Sequence, residues 1–188
     1  MRRVLHVLDH SLPLRDGYVS RTLGLVDALR GEGWSSELFT GPRQPGHAAP
    51  AEEVAGRRFH RAAGFRAGAR PPLLREWAEM AHATRRLMEV AREVRPDLLH
   101  AHSPGLCALP ALRVARALSL PVVYEVRAFW EDAAADQRRG AEGGPRWRAV
   151  RALDTWLFRR VHAVGAICEG LRRDIVARGI DASRVHVL

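Results

Sequence analysis

Lysine is missing from this chain: all 30 basic residues are arginine, set against 21 acids. Together with abundant alanine this reads as a compositional bias, so an arginine by itself marks no site. Cysteine is nearly missing too. Cys107 and Cys168 lie far apart without CxxC spacing, which excludes a disulfide framework and a zinc ribbon; both are expected to be reduced and buried. No run of about 18 apolar residues exists to span a bilayer. Met1-Arg2-Arg3 leads into a largely apolar run of only five residues, too short for a signal-peptide core, so the expected location is cytoplasmic. Neither GxGxxG, nor a Walker lysine, nor G-x-S-x-G occurs, which removes the dinucleotide fingerprint, the P-loop and the nucleophile elbow. Without helix-turn-helix, RRM or KH signatures, the formal charge of +9 argues only weakly for nucleic acid, and no nucleic-acid partner is expected. Internal repeats are absent as well.

What is present suits one domain with its own core: 188 residues, 47% hydrophobic. Val4–Leu8 is a buried-strand run. A polar loop with Pro13, Asp16 and Gly17 follows, then helical spacing at Leu23, Leu25, Val26 and Leu29 from about Ser20, stopped by Gly31 and Gly33. Glu37–Phe39 reads as a strand, Gly41–Gly56 as a mobile surface loop, and Arg57–His60 as a short strand. Leu73 to Pro96 keeps helical spacing through Trp77, Met80, Leu87, Ala91 and Val94. Beyond it the pattern is strand Asp97–His102, helix Leu106–Leu118, strand Val122–Val126, a break at Gly140–Pro145, helix Trp147–Val161, strand Ala163–Cys168, helix Leu171–Arg178 and strand Val185–Val187. Alternation of this kind predicts an α/β fold with a Rossmann-like, doubly wound parallel sheet, because parallel neighbours need crossover helices on both faces. The chain stops at Leu188 at the end of a strand, as an excised domain would.

In such sheets ligands bind beyond the carboxyl ends of the strands. Three segments fall there. Asp16-Gly17-Tyr18 precedes a helix, where Gly17 would permit a tight turn and a close approach of a phosphate to backbone N–H groups; a plain turn is the competing reading. His100 and His102 alternate on a strand and share a face. With no carboxylate or cysteine beside them no metal is expected; His102 with Ser103 would lie near the crevice, or cap a helix, and His100 would be a satisfied buried histidine. Glu125-Val126-Arg127-Ala128-Phe129-Trp130-Glu131-Asp132 packs four charges into eight residues. A carboxylate there could take a proton from an acceptor hydroxyl and Arg127 could grip a phosphate, or Arg127 and Glu131 could simply pair. Between Arg57 and Arg95 stand ten arginines and four acids, either a solvated helix face or an anion-facing one.

The order strand, Asp16-Gly17 loop, helix, Arg30-Gly31-Glu32-Gly33-Trp34, then Asp97-Leu98-Leu99-His100-Ala101-His102-Ser103-Pro104 resembles group 1 glycosyltransferases of GT-B fold. Leu5 to Leu14, Tyr124 to Asp132 and Ile167-Cys168-Glu169-Gly170-Leu171 resemble the exosortase-associated (PEP-CTERM system) exopolysaccharide transferases within that group. The resemblance implies the N-terminal, acceptor-side half of a two-domain enzyme whose nucleotide-sugar half is not in this chain, so the chain alone is expected to be inactive. It implies retention of anomeric configuration, no cofactor or metal beyond the nucleotide-sugar co-substrate, and a glycan or lipid-linked acceptor. By motif, Arg127, Glu131 and Asp132 would be catalytic, with Arg127 where many relatives carry a histidine. Asp16, Gly17, Tyr18, His102 and Ser103 would bind substrate. Attachment to an anionic inner membrane surface is expected through Arg70, Arg75, Arg85 and Arg86. The competing readings are a non-catalytic module for an anionic ligand or nucleic acid, and a sugar-nucleotide epimerase of related architecture.

Overall fold

The computed structural model describes residues 2–44, 46, 49–66, 68–69, 71–132 and 143–188. The elements run β1 Arg3–Leu8, α1 Gly17–Gly31, β2 Ser35–Thr40, β3 Ala51–Val54, β4 Arg57–Arg61, α2 Pro72–Val94, β5 Leu98–His102, α3 Gly105–Leu118, β6 Val122–Val126, α4 Pro145–Phe158, β7 Ala163–Ala166, α5 Glu169–Ala177 and β8 Val185–Val187. They form one eight-stranded sheet in the order β3-β4-β2-β1-β5-β6-β7-β8. Every pairing is parallel except β3 with β4. This is the expected α/β, Rossmann-like doubly wound sheet, and the chain reverses direction between β1 and β5, where a crevice opens beyond the carboxyl ends.

Side chains two apart on a strand share a face, so each strand divides its residues between two different environments. On one face Leu5, Val7, Phe39, Leu99, Ala101, Tyr124 and Val126 join Leu87 and Val90 of α2, Ala108, Ala111 and Val114 of α3, Leu157 and Phe158 of α4 and Ile175 of α5 in the main core. The other face is covered by α1, and its apolar cluster is small: Leu8, Leu12, Val19, Val26, Leu38 and Phe59, all buried. Between that cluster and β7 the same face carries His6, His100, His102 and Glu125.

Three expectations need correction. Gly41–Gly56 is not wholly loop, since β3 pairs antiparallel with β4 across Ala55-Gly56. Both turn residues have positive φ (51° and 69°), the geometry of a tight hairpin, and the polar sequence of an edge strand hid it. Helix α1 begins at Gly17 rather than Ser20 because Asp16 caps it. Cys168 is exposed; only Cys107 is buried. Arg70 and residues 140–142 of the break lie outside the described residues, while Pro145 opens α4 at its first turn, where a missing N–H costs nothing.

Candidate functional site

The site begins where β1 ends. Asp16 accepts the Val19 amide at 2.8 Å through Oδ1 and faces His10 Nε2 at 2.7 Å through Oδ2. His10 Nδ1 faces Asp9 Oδ2 at 3.2 Å, and its ring stacks on Tyr18 at 4.4 Å between centroids. The bond to Asp9, helped by Asp16, outweighs partial burial and raises the His10 pKa. Burial pulls the Asp16 carboxyl up, but the Val19 amide and His10 reverse this and lower it. Asp9 and His10 join this cluster, although the sequence reading did not single them out. The signal was there, an acid and a histidine directly after the first strand, but it matches no spacing rule.

Gly17 corrects a further expectation. It is helical with no positive φ, so the turn does not require glycine. A Cβ added there would meet nothing within 4 Å. The start of α1 is therefore sterically open beside Gly17, while the N-cap Asp16 occupies the Val19 amide.

Deeper in the sheet, register brings His6 opposite His100, and His102 opposite Glu125. Arg127 Nη2 donates to His102 Nδ1 at 2.6 Å. Glu125 Oε2 lies 3.2 Å from the same nitrogen, while His102 Nε2 lies 3.0 Å from His6 Nδ1 and His6 Nε2 lies 3.3 Å from Ser36 Oγ. Arg127 also donates to the Tyr18 carbonyl at 2.6 Å, Thr22 Oγ1 at 3.0 Å and Glu125 Oε1 at 3.2 Å, and lies 4.2 Å over the Tyr18 ring. Arg21 Nε reaches the same Glu125 oxygen at 2.7 Å. Burial would push the Glu125 carboxyl up; His102, Arg127 and His100 more than reverse it and hold it well below the carboxylate range. Burial dominates at the histidines, lowering His6 and His100 strongly and His102 to about 3 against the pull of Glu125. One ligand atom from each of His6, His100 and His102 lies within 4.8 Å of the others. A metal ion would have to displace the hydrogen bond that already joins His6 to His102.

The candidate residues thus separate into two groups. Asp16, Gly17 and Asp132 are exposed at the crevice end, Asp132 accepting from Trp147 Nε1 at 3.0 Å. His102 and Ser103 are buried, and Tyr18 and Arg127 lie within the network; Ser103 Oγ accepts the Arg127 amide at 3.1 Å, and Tyr18 Oη accepts the Asp9 amide at 3.1 Å. Glu131 is buried and paired with Arg178 at 2.9 Å, not with Arg127. His100 is buried but unsatisfied, its Nε2 lacking a hydrogen bond. On α2, Arg75 and Arg85 are exposed, whereas Arg86 is half-buried and bonded to Glu89 and to the Pro50 and Arg61 carbonyls.

Residues 16–188 match the glycosyl transferase 4-like domain. The chain belongs to that family. Similar solved structures include sucrose-phosphate synthase from Thermosynechococcus elongatus (13% identity, TM-score 0.69, covering 100% of this chain and 47% of that one). Others are Acinetobacter baumannii MurG (14%, 0.56, 100% and 45%) and UDP-N-acetylglucosamine 2-epimerase from Rickettsia bellii (14%, 0.59, 100% and 44%). At these identities the likeness is one of fold. This glycosyl transferase 4-like chain spans about half the length of those three structures. No curated protein sequence matches it.

Proposed function

We propose that this domain is the acceptor-side half of a retaining glycosyltransferase that moves a sugar from a nucleotide-sugar donor to a glycan or lipid-linked acceptor, in exopolysaccharide synthesis of the exosortase-associated kind. One observation carries the reading: in a chain of the glycosyl transferase 4-like family, the first turn of α1 stands open at the topological switch point beside the Asp9–His10–Asp16 cluster. The amides at the start of α1 that Asp16 leaves free would meet phosphate or developing negative charge, with no cofactor or metal required, and Asp132 would orient a hydroxyl. Arg127 would act by fixing α1 to β5 and β6, so it is a positioning residue. The nucleotide-sugar half would be supplied by a second domain of the whole protein, and the isolated chain would be inactive. Association with the cytoplasmic membrane surface belongs to the same proposal.

The epimerase fold neighbour favours a second reading, sugar-nucleotide epimerisation by the whole protein. Incubating the protein in its full length with a nucleotide-sugar panel and a membrane-lipid extract separates the two. Acceptor-dependent release of nucleoside diphosphate supports transfer. Acceptor-independent conversion of one sugar nucleotide to its epimer, or no turnover of any donor, overturns it.

A further inference from the structure

The sequence places its basic surplus around α2, but α2 itself carries four arginines and four glutamates. Much of the surrounding surplus is paired internally. Arg57 reaches Asp27 at 2.8 Å, Arg58 reaches Glu93 at 3.4 Å, and buried Arg61 binds Glu52. Helix α4 differs. Arg146, Arg148, Arg151, Arg159 and Arg160 stand on it or directly after it, against one acid, Asp154, which is buried on the opposite side.

The outer face of α4 holds a groove of about 450 Å³ lined by Trp147, Arg148, Arg151, Trp156, Arg159 and Arg160 together with Ala152 and Thr155. Among the described residues no acid lines it. Arg151 is partly neutralised, at 3.7 Å from Glu131 and 3.8 Å from Asp174, and Arg148 donates to the Gly143 carbonyl; Arg159 and Arg160 are exposed. Trp156 is 41% exposed, a large apolar ring amid cations.

The arrangement of rings and guanidinium groups selects among anionic partners. Arg160 lies 3.9 Å over the Trp156 ring, and Arg151 lies 5.3 Å over Trp147. Each indole has one face covered by a cation, which leaves at most its other face as the stacking platform a nucleobase would need. Trp156 stays exposed beside that positive charge. Tryptophan takes this position at a membrane–water boundary, apolar body inward and polar edge among headgroups, while arginine faces lipid phosphates.

We infer that the outer face of α4, centred on Trp156, Arg159 and Arg160, is a docking surface for an anionic phospholipid bilayer. It rests on the membrane-surface part of the function proposed above and not on sugar transfer. Because Trp147 bonds Asp132 at the crevice end and the helix runs away from it, Trp156, Arg159 and Arg160 stand about 14–20 Å along the helix axis from the crevice end.

Co-sedimentation with vesicles of phosphatidylcholine, alone or mixed with phosphatidylglycerol, tests the proposal. The mixed vesicles should bind the protein and the neutral ones should not. Arg159→Glu with Arg160→Glu should lower partitioning at least about tenfold, since each basic residue near an anionic surface contributes roughly fivefold. The charge-matched pair Arg75→Glu with Arg85→Glu on α2 should change it less. Brominated lipid should quench Trp fluorescence, and Trp156→Phe, which leaves charge and packing nearly intact, should remove more of that quenching than Trp77→Phe. Equal binding to neutral vesicles, a larger loss from the α2 pair, or quenching that follows Trp77 overturns the proposal. So does α4-dependent retention on heparin or DNA without vesicle binding. Vesicle binding in a full-length protein that transfers no sugar sinks the transferase reading alone; transfer without vesicle binding sinks this one alone.

Discussion

The two faces of the sheet solve burial in opposite ways. Under α2, α3, α4 and α5, apart from the buried group of Asp154, Glu131 and Arg178, the contacts are between aliphatic and aromatic side chains, each worth about 1.5–3 kcal/mol on burial and indifferent to direction and pH. Under α1 the middle of the sheet presents three imidazoles and a carboxylate, closed by Arg21 and Arg127. Buried charge of this kind adds little net stability when complete and becomes costly when one member is removed. It supplies direction instead. Arg127 binds the Tyr18 carbonyl and Thr22 Oγ1 on α1 while holding His102 and Glu125 on the sheet, so it sets where the open first turn of α1 stands. The apolar face makes the domain stable, and the polar face aims it.

Breaking the polar face should have the largest effect. Arg127→Met leaves Glu125 buried with one guanidinium partner and should cost about 3–5 kcal/mol in urea unfolding. The double variant with Glu125→Gln should lose less than the sum of the single changes. On the apolar face Leu99→Ala should cost about 2–5 kcal/mol by opening a cavity, by the same amount at pH 5 and pH 8, which sets it apart from any change in the charge network.

Titration sharpens the contrast further. His6, His100 and His102 are neutral in the fold and bind protons only once unfolded, so stability present above about pH 6.5 is lost on acidification toward pH 3, by up to about 1.4 kcal/mol per pH unit for each ring. Asp154 acts in the other direction. Burial, then Glu131, raises it to about 7 against the Tyr124 bond and Arg178, so the fold holds a proton that the unfolded chain releases near pH 4. Stability should therefore fall from pH 4 to pH 7, by at most about 1.4 kcal/mol per unit, and Asp154→Asn should raise Tm at pH 8 with little effect at pH 4. Thermal melts across pH check both slopes. The smallest effect expected is at the crevice: Asp16→Ala removes the α1 cap and should cost about 1 kcal/mol, while Asp16→Asn should largely retain it.

Much of the fold is legible along the chain because periodicity is a local property. Leu87, Ala91 and Val94 point one way on α2, and Val4–Leu8 is apolar but for His6 because a central parallel strand is covered on both faces. The missed β3 is an edge strand with little to bury, so it leaves only a weak pattern. The motif Tyr124 to Asp132 marked a place of dense charge, yet its residues face different interiors: Glu125 and Arg127 join the α1 side, while Glu131 crosses to Arg178.

By itself, the sequence determined the alternation of strands and helices, the parallel sheet, the family, and the rim on which Asp16, Gly17 and Asp132 stand. Only the tertiary structure decided which charges reach solvent. Register between β1, β5 and β6 gathers residues about 20 to 100 positions apart into one buried network, and a side chain's exposure depends on what packs over it. For the same reason part of the basic surplus read near α2 is paired there, at Arg57, Arg58, Arg61 and Arg86, and a cationic face emerges on α4, where the single acid turns inward.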